Sequence, residues 1–117
     1  MKKDNFIFIR HIKDAIESIE HFVSGFSKEE FMRNEEKQYA VIRAIEIIGE
    51  AAKNISSEFR KEHPTIAWKE IVGMRDRLIH QYFGVNLERV WLVVEKDLPE
   101  LKSQIVSILK SEEKSKH

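Results

Sequence analysis

The chain has 117 residues, 20 Lys plus Arg against 20 Asp plus Glu, and no cysteine. One core rather than two fits that length, and 42% apolar content at zero formal net charge excludes a disordered polyelectrolyte. It also excludes a broadly basic, nucleic-acid-coating surface, so any polyanion must be held by a local patch, while disulfides, thiol nucleophiles and cysteine-bound zinc are ruled out.

Apolar residues three and four apart predict an all-α chain. Phe6, Ile9, Ile12, Ile16, Ile19 and Val23 form one stripe, predicting a helix from about Asp4 to Ser24, stopped at Gly25. Ser27 and Glu30 have capping-box spacing and start a new turn. Val41, Ala44, Ile45, Ile48, Ala52 and Ile55 then predict a long helix over Glu35 to Asn54, where Gly49, Ala51 and Ala52 let another helix approach closely. Ser56 or Ser57 caps a short helix ending before Pro64. Thr65 is expected to open a helix carrying Ile66, Ile71, Met74, Leu78 and Ile79, closed by Gly84. Asn86 caps a final helical stretch with Val90, Val94, Leu98, Leu101, Ile105 and Leu109 on one side. Pro99 interrupts that stripe and, with Asp97 as a fresh cap, predicts two collinear or kinked helices.

Residues 1–110 are expected to form a single domain, and 111–117, which lack apolar residues, a frayed polar tail. No stretch approaches the ~18 apolar residues of a membrane span, and Met1–Arg10 contains no signal-type apolar segment, so a cytoplasmic protein is expected.

His11, His21, His63 and His117 are scattered on polar, turn or terminal positions, and no His pair has the helical zinc spacing. No glycine-rich phosphate loop is present either, so the sequence points to no metal and no cofactor. The dense cluster is Arg75-Asp76-Arg77-Leu78-Ile79-His80-Gln81-Tyr82. If this run is helical, Asp76 and His80 share a face, Arg77 occupies the neighbouring row, and Arg75 diverges from His80. A second copy across a two-fold axis would bring Arg75 and His80 together, suggesting a site at a homodimer interface. The run is equally compatible with a solvated helix end on which Asp76 pairs with Arg77 or His80. Chemically, an imidazole that takes and gives protons beside guanidiniums suits attack on a phosphodiester, with His80 as general acid or base and Arg75 or Arg77 stabilising transition-state charge. RNA, unlike DNA, brings its own nucleophile in the 2′-hydroxyl, so neither metal nor thiol is needed.

The run Arg75 to Tyr82 resembles the R-x4-H-x-Y motif of HepT-like ribonuclease toxins, a branch of the HEPN superfamily. The flanks are similar too: Ile47-Ile48-Gly49-Glu50-Ala51-Ala52, Pro64-Thr65-Ile66-Ala67-Trp68, Gly73-Met74, Tyr82-Phe83-Gly84-Val85, Val90-Trp91 and Asp97-Leu98-Pro99. The resemblance spans about Phe6 to Leu109. It implies an antiparallel HEPN-like bundle of four to five main helices, dimeric, with two motifs lining one cleft. It further implies a metal-independent endoribonuclease acting as the toxin of a two-gene toxin–antitoxin module. Arg75 and His80 then take the catalytic positions, with Asp76 and Arg77 supporting, and Asp76 stands where the family often has Asn. Tyr82 takes the position that a minimal nucleotidyltransferase antitoxin modifies with AMP, adding bulk and negative charge where an RNA phosphate must enter. The alternative is a non-catalytic helical binding partner of a nucleotidyltransferase.

Overall fold

The computed structural model describes residues 4–80 and 84–115; the side chains of Ile79, His80 and Ser115 fall outside that description. Helix α1 covers Asn5–Val23, opened by the Asp4 carboxylate accepting from the Phe6 amide at 3.0 Å. It ends ahead of Gly25, whose φ of +77° is costly for any residue with a Cβ. Ser27 and Glu30 form the expected capping box at the start of α2, Lys28–Met32. Asn34 then caps α3, Glu35–Lys53, and Gln38 ties the two helices by donating to the Phe31 and Met32 carbonyls. Ser56 caps α4, Ser57–Glu62.

Side-chain bonds fix the helix directions. Asn5, at the start of α1, exchanges hydrogen bonds with Ser56, just beyond the end of α3, so α1 and α3 run antiparallel. Lys102 reaches Glu20 near the end of α1, and Arg10 near its start reaches Glu112, so the C-terminal helix is antiparallel to α1 as well. Between them lies the core. Ile9, Ile12, Ile16 and Ile19 from α1 meet Val41, Ile45, Ile48 and Ala52 from α3, all buried. The all-α architecture predicted from periodicity is present, and its long helices pack antiparallel, as the family resemblance implies.

The segment expected to be one helix from Thr65 to Gly84 is organised differently. Its first part is α5, Trp68–Val72, which begins after Ala67 with no side-chain cap. Trp68 decides the start point: its indole is buried and donates to the His63 carbonyl at 3.0 Å, pinning the Pro64 turn against Phe59. Gly73, at φ −87° and ψ 0°, breaks the helix, and α6 is the short turn Met74–Leu78. Strand β1, Ile79–His80, then pairs antiparallel with β2, Gly84–Val85, in the register Ile79 to Val85 and His80 to Gly84. Gly84 is therefore not a helix terminator. It sits at φ +77° in the hairpin, whose base is closed by the Asn86 amide donating to the Leu78 carbonyl at 2.9 Å. Two β-branched residues paired in register and a glycine free to adopt positive φ favour this ladder over continued helix.

Asn86 next caps α7, Leu87–Leu92, as expected. The anticipated break at Pro99 takes another form. A π turn over Val93–Asp97 joins α7 to α8, Leu98–Ser115, without a fresh Asp97 cap, and the Leu98 amide reaches back to the Val93 carbonyl. Proline cannot donate to the carbonyl four residues earlier and its ring would strike it in a regular helix. The wider π turn relieves that conflict. At the far end, α8 continues through Ser111–Ser115, where a frayed tail was expected, and the Arg10–Glu112 pair anchors it.

Gly49 on α3 is buried beneath the end of α5, and an added Cβ would lie 3.5 Å from the Ile71 and Val72 carbonyl oxygens, an ordinary contact. Gly49→Ala should thus be tolerated sterically while removing the helix cost of glycine, up to about 1 kcal/mol. Thermal unfolding is expected to show an unchanged or raised Tm; a clear drop would mean that this helix pair has no room even for a methyl group.

Candidate active site

Helix α6 is barely more than one turn, yet it carries three of the predicted site residues. Arg75 is half exposed, and its Nε donates to Glu46 Oε2 on α3 at 2.8 Å. Its Nη1 lies 3.6 Å from Asp76 Oδ1, a looser contact because the Asp76 side chain is 83% exposed. Glu46 and Glu50 sit one turn apart on α3, which packs against α6, so three carboxylates surround this guanidinium. The hydrogen bond to Glu46, then its charge, holds Arg75 firmly protonated, with Asp76 and Glu50 adding to the effect. Arg77 leaves α6 in another direction and donates from Nη2 to the Glu70 carbonyl at 2.7 Å, satisfying an oxygen in the last turn of α5.

His80 is not one helical turn beyond Asp76. Helix α6 ends at Leu78, and the backbone of His80 is extended in β1, paired with Gly84. The shared helical face of Asp76 and His80 therefore does not form. In its place a helix-to-strand junction falls between Leu78 and Ile79, within one turn of Arg75. The His80 side chain and all of Tyr82 lie outside the described residues, as does His117. His11 and His21 are exposed, and His63 is half-buried with its ring 4.6 Å from that of Phe59, so these three serve no common site. Among the described residues, no three His, Asp or Glu side chains are grouped to hold a metal ion. None of the described helices is long and apolar enough to cross a membrane.

Sequence reasoning missed Glu46. The only signal available was a pair of carboxylates, Glu46 and Glu50, at helical spacing on the polar side of α3. Their meaning depends on α3 packing against α6, a contact 29 residues long in sequence that periodicity does not reveal.

The arrangement can present a cation chemically. With Nε bonded to Glu46 and Nη1 beside Asp76, Nη2 has no hydrogen-bond partner among the described residues, and the side chain as a whole is half exposed. A guanidinium held this way is suited to the oxygens of a phosphate.

Comparison with known proteins gives one consistent picture. The family model described as Ribonuclease HepT-like matches residues 12–108. A protein of Thermococcus cleftensis, provisionally named ribonuclease HepT, is 44% identical over 94% of this chain and 100% of its own length. One from Caldanaerobacter subterraneus subsp. tengcongensis, provisionally named an RNase, is 45% identical over 90% of this chain and 94% of its own. A Methanocaldococcus jannaschii protein, whose name joins a gamma-glutamylcyclotransferase to a provisional RNase, is 46% identical over 100% of this chain. The chain spans 53% of that longer relative. No solved structure matches the chain significantly.

Proposed function

Because this chain belongs to the HepT-like ribonuclease family, we propose that it is an endoribonuclease that cuts RNA without a metal ion and acts as the toxin of a two-gene toxin–antitoxin module. One observation carries the reading. Arg75 is held through Nε by Glu46 and left half exposed, on a short helix that passes directly into the strand bearing His80.

In this mechanism the 2′-oxygen attacks the adjacent phosphorus, and its proton passes to an imidazole. The bond from phosphorus to the 5′-oxygen breaks, that oxygen takes up a proton, and the products end in a 2′,3′-cyclic phosphate and a 5′-hydroxyl. His80 supplies the proton transfers, and Arg75 neutralises charge that builds on the non-bridging oxygens. Glu46 is a positioning residue that holds the guanidinium. A homodimer would place two such motifs on one cleft, which is consistent with Tyr39 and Ile47 standing 67% and 36% exposed on the same helix as Glu46. Neutralisation would proceed by a partner nucleotidyltransferase. The Tyr82 phenol oxygen attacks the α-phosphorus of ATP, pyrophosphate leaves, and AMP remains on the ring.

A second reading, a non-catalytic helical partner of the nucleotidyltransferase, is favoured by Glu46, Glu50 and Asp76 crowding Arg75, because carboxylates repel RNA phosphates. Cleavage assays separate the two.

With single-stranded RNA in EDTA, wild-type protein is expected to cut, His80→Ala to lose about 10²- to 10⁴-fold and Arg75→Ala about 10²- to 10³-fold in rate. Equal rates for all three would remove the catalytic reading. Glu46→Ala should lower kcat by about 10- to 100-fold through a misplaced guanidinium, with partial rescue in Glu46→Gln, which keeps an acceptor. If Ala and Gln variants match wild type, Glu46 does not position Arg75. Incubation with ATP and the partner should add AMP to wild-type protein and not to Tyr82→Phe, read by intact mass; an identical gain in both would move the modification elsewhere.

A further inference from the structure

The opposite side of α6 carries a second feature. Between α6 and the α7–π-turn segment runs a groove of about 360 Å³ whose floor is the buried, apolar Met74, Leu78 and Val93. Its rim carries Arg77, Arg89 and Lys96 against a single carboxylate among its lining residues, Asp97. Arg77 is steadied by its bond to the Glu70 carbonyl. Arg89 and Lys96 are exposed and enter no ion pair among the described residues. Such a local cationic surplus is what an overall charge of zero requires if a polyanion is to be held at all. Leu92, 49% exposed, stands on the same rim and offers an apolar surface between the cations.

The groove has a direction. Beyond Arg77 and Asp97 it meets a neighbouring hollow whose lining adds Glu70 and Glu100, so that end repels anions. At the other side the wall formed by Leu78 leads straight into β1, two residues from His80.

We infer that this groove is a substrate track for single-stranded RNA. Arg77, Arg89 and Lys96 contact backbone phosphates, the apolar floor and Leu92 receive sugar or base, and the strand is led toward the motif. The inference rests on the endoribonuclease reading and adds residues that the motif does not contain. Charge complementarity selects the occupant: phosphates at regular spacing match cations spread along a groove, and an apolar floor suits unpaired bases.

The test is fluorescence anisotropy with a labelled, single-stranded 2′-O-methyl RNA, which lacks the attacking hydroxyl and stays intact. Titrations are run on the full chain across a range of salt concentrations. The Arg89→Ala/Lys96→Ala double variant should bind about tenfold or more weakly, and its slope of log K against log salt should flatten by about 0.7 for each cation removed. Arg89→Lys/Lys96→Arg, which keeps both charges, should bind like wild type, and Asp97→Asn should bind more tightly. Unchanged affinity and slope in the double Ala variant overturns the track, as does failure of wild type to bind at low salt. The two proposals fail distinguishably. Wild-type protein that binds the probe through Arg89 and Lys96 but leaves unmodified RNA intact overturns the endoribonuclease reading and keeps the track. Cleavage with the same KM in the double Ala variant overturns the track and keeps the reading.

Discussion

Burial of the α1 stripe between α3 and α8 is the constraint on which everything else hangs. Ile9, Ile12, Ile16 and Ile19 are each essentially removed from solvent, and a fully buried aliphatic side chain of this kind contributes about 1.5–3 kcal/mol. Ion pairs on the surface, such as those of Arg10 and Lys102, contribute far less and mainly select direction and register among packings the apolar seam already favours. With α1 as the common partner, α3 is fixed in space, and its polar side becomes the platform against which α6 is laid. The 2.8 Å bond between Glu46 and Arg75 is a consequence of that platform.

The brevity of α6 matters as much as its position. In a long helix Arg75 and Arg77 would be two members of one charged surface. Confined to a single turn between the Gly73 break and the β1 strand, they are sent to different neighbours: Arg75 to the carboxylates of α3, Arg77 to the end of α5 and the groove beyond. The two-stranded ladder then turns the chain back so that Asn86 can close the hairpin with its amide and cap α7 with its side chain. Two short-range devices, a glycine at each end of the segment, thus create the junction where helix becomes strand.

Much of this was legible in the sequence, and the failures have identifiable causes. The stripes of α1 and α3, the Ser27–Glu30 capping box and the Asn86 cap all appear where local rules put them, because each depends on residues within a turn or two. From Ile79 to Val85 the apolar spacing suits a helix and a hairpin alike, and the decision falls to Gly84 and to the pairing of two β-branched residues. Pro99 correctly marked a disturbance in the last helix, but a break and a π turn cannot be told apart by periodicity, since both shift the stripe. The polar end of α8 has no apolar residue from Ser111 onward to hold it by burial, and the partner it finds there, Arg10, is 102 residues away in sequence. Glu46 was invisible for the same reason.

The zero net charge acquires a different meaning once the chain is folded. Charges are not mixed evenly around α6: Glu46, Glu50 and Asp76 gather on the Arg75 side, while Arg77, Arg89 and Lys96 gather on the other. A guanidinium enclosed by carboxylates is well oriented but presents little net attraction, because its own positive potential is cancelled within a few ångströms. Attraction over longer distances must come from elsewhere, and in the proposed track the groove cations Arg89 and Lys96, which enter no ion pair among the described residues, would supply it. Separating the two roles has a physical advantage. A cation that both recruits and orients a phosphate would be free to adopt many rotamers until its ligand arrived, whereas Arg75 is ordered beforehand by Glu46. That division is made here with 20 bases and 20 acids arranged unequally, which composition alone cannot distinguish from a surface with no preference for anions.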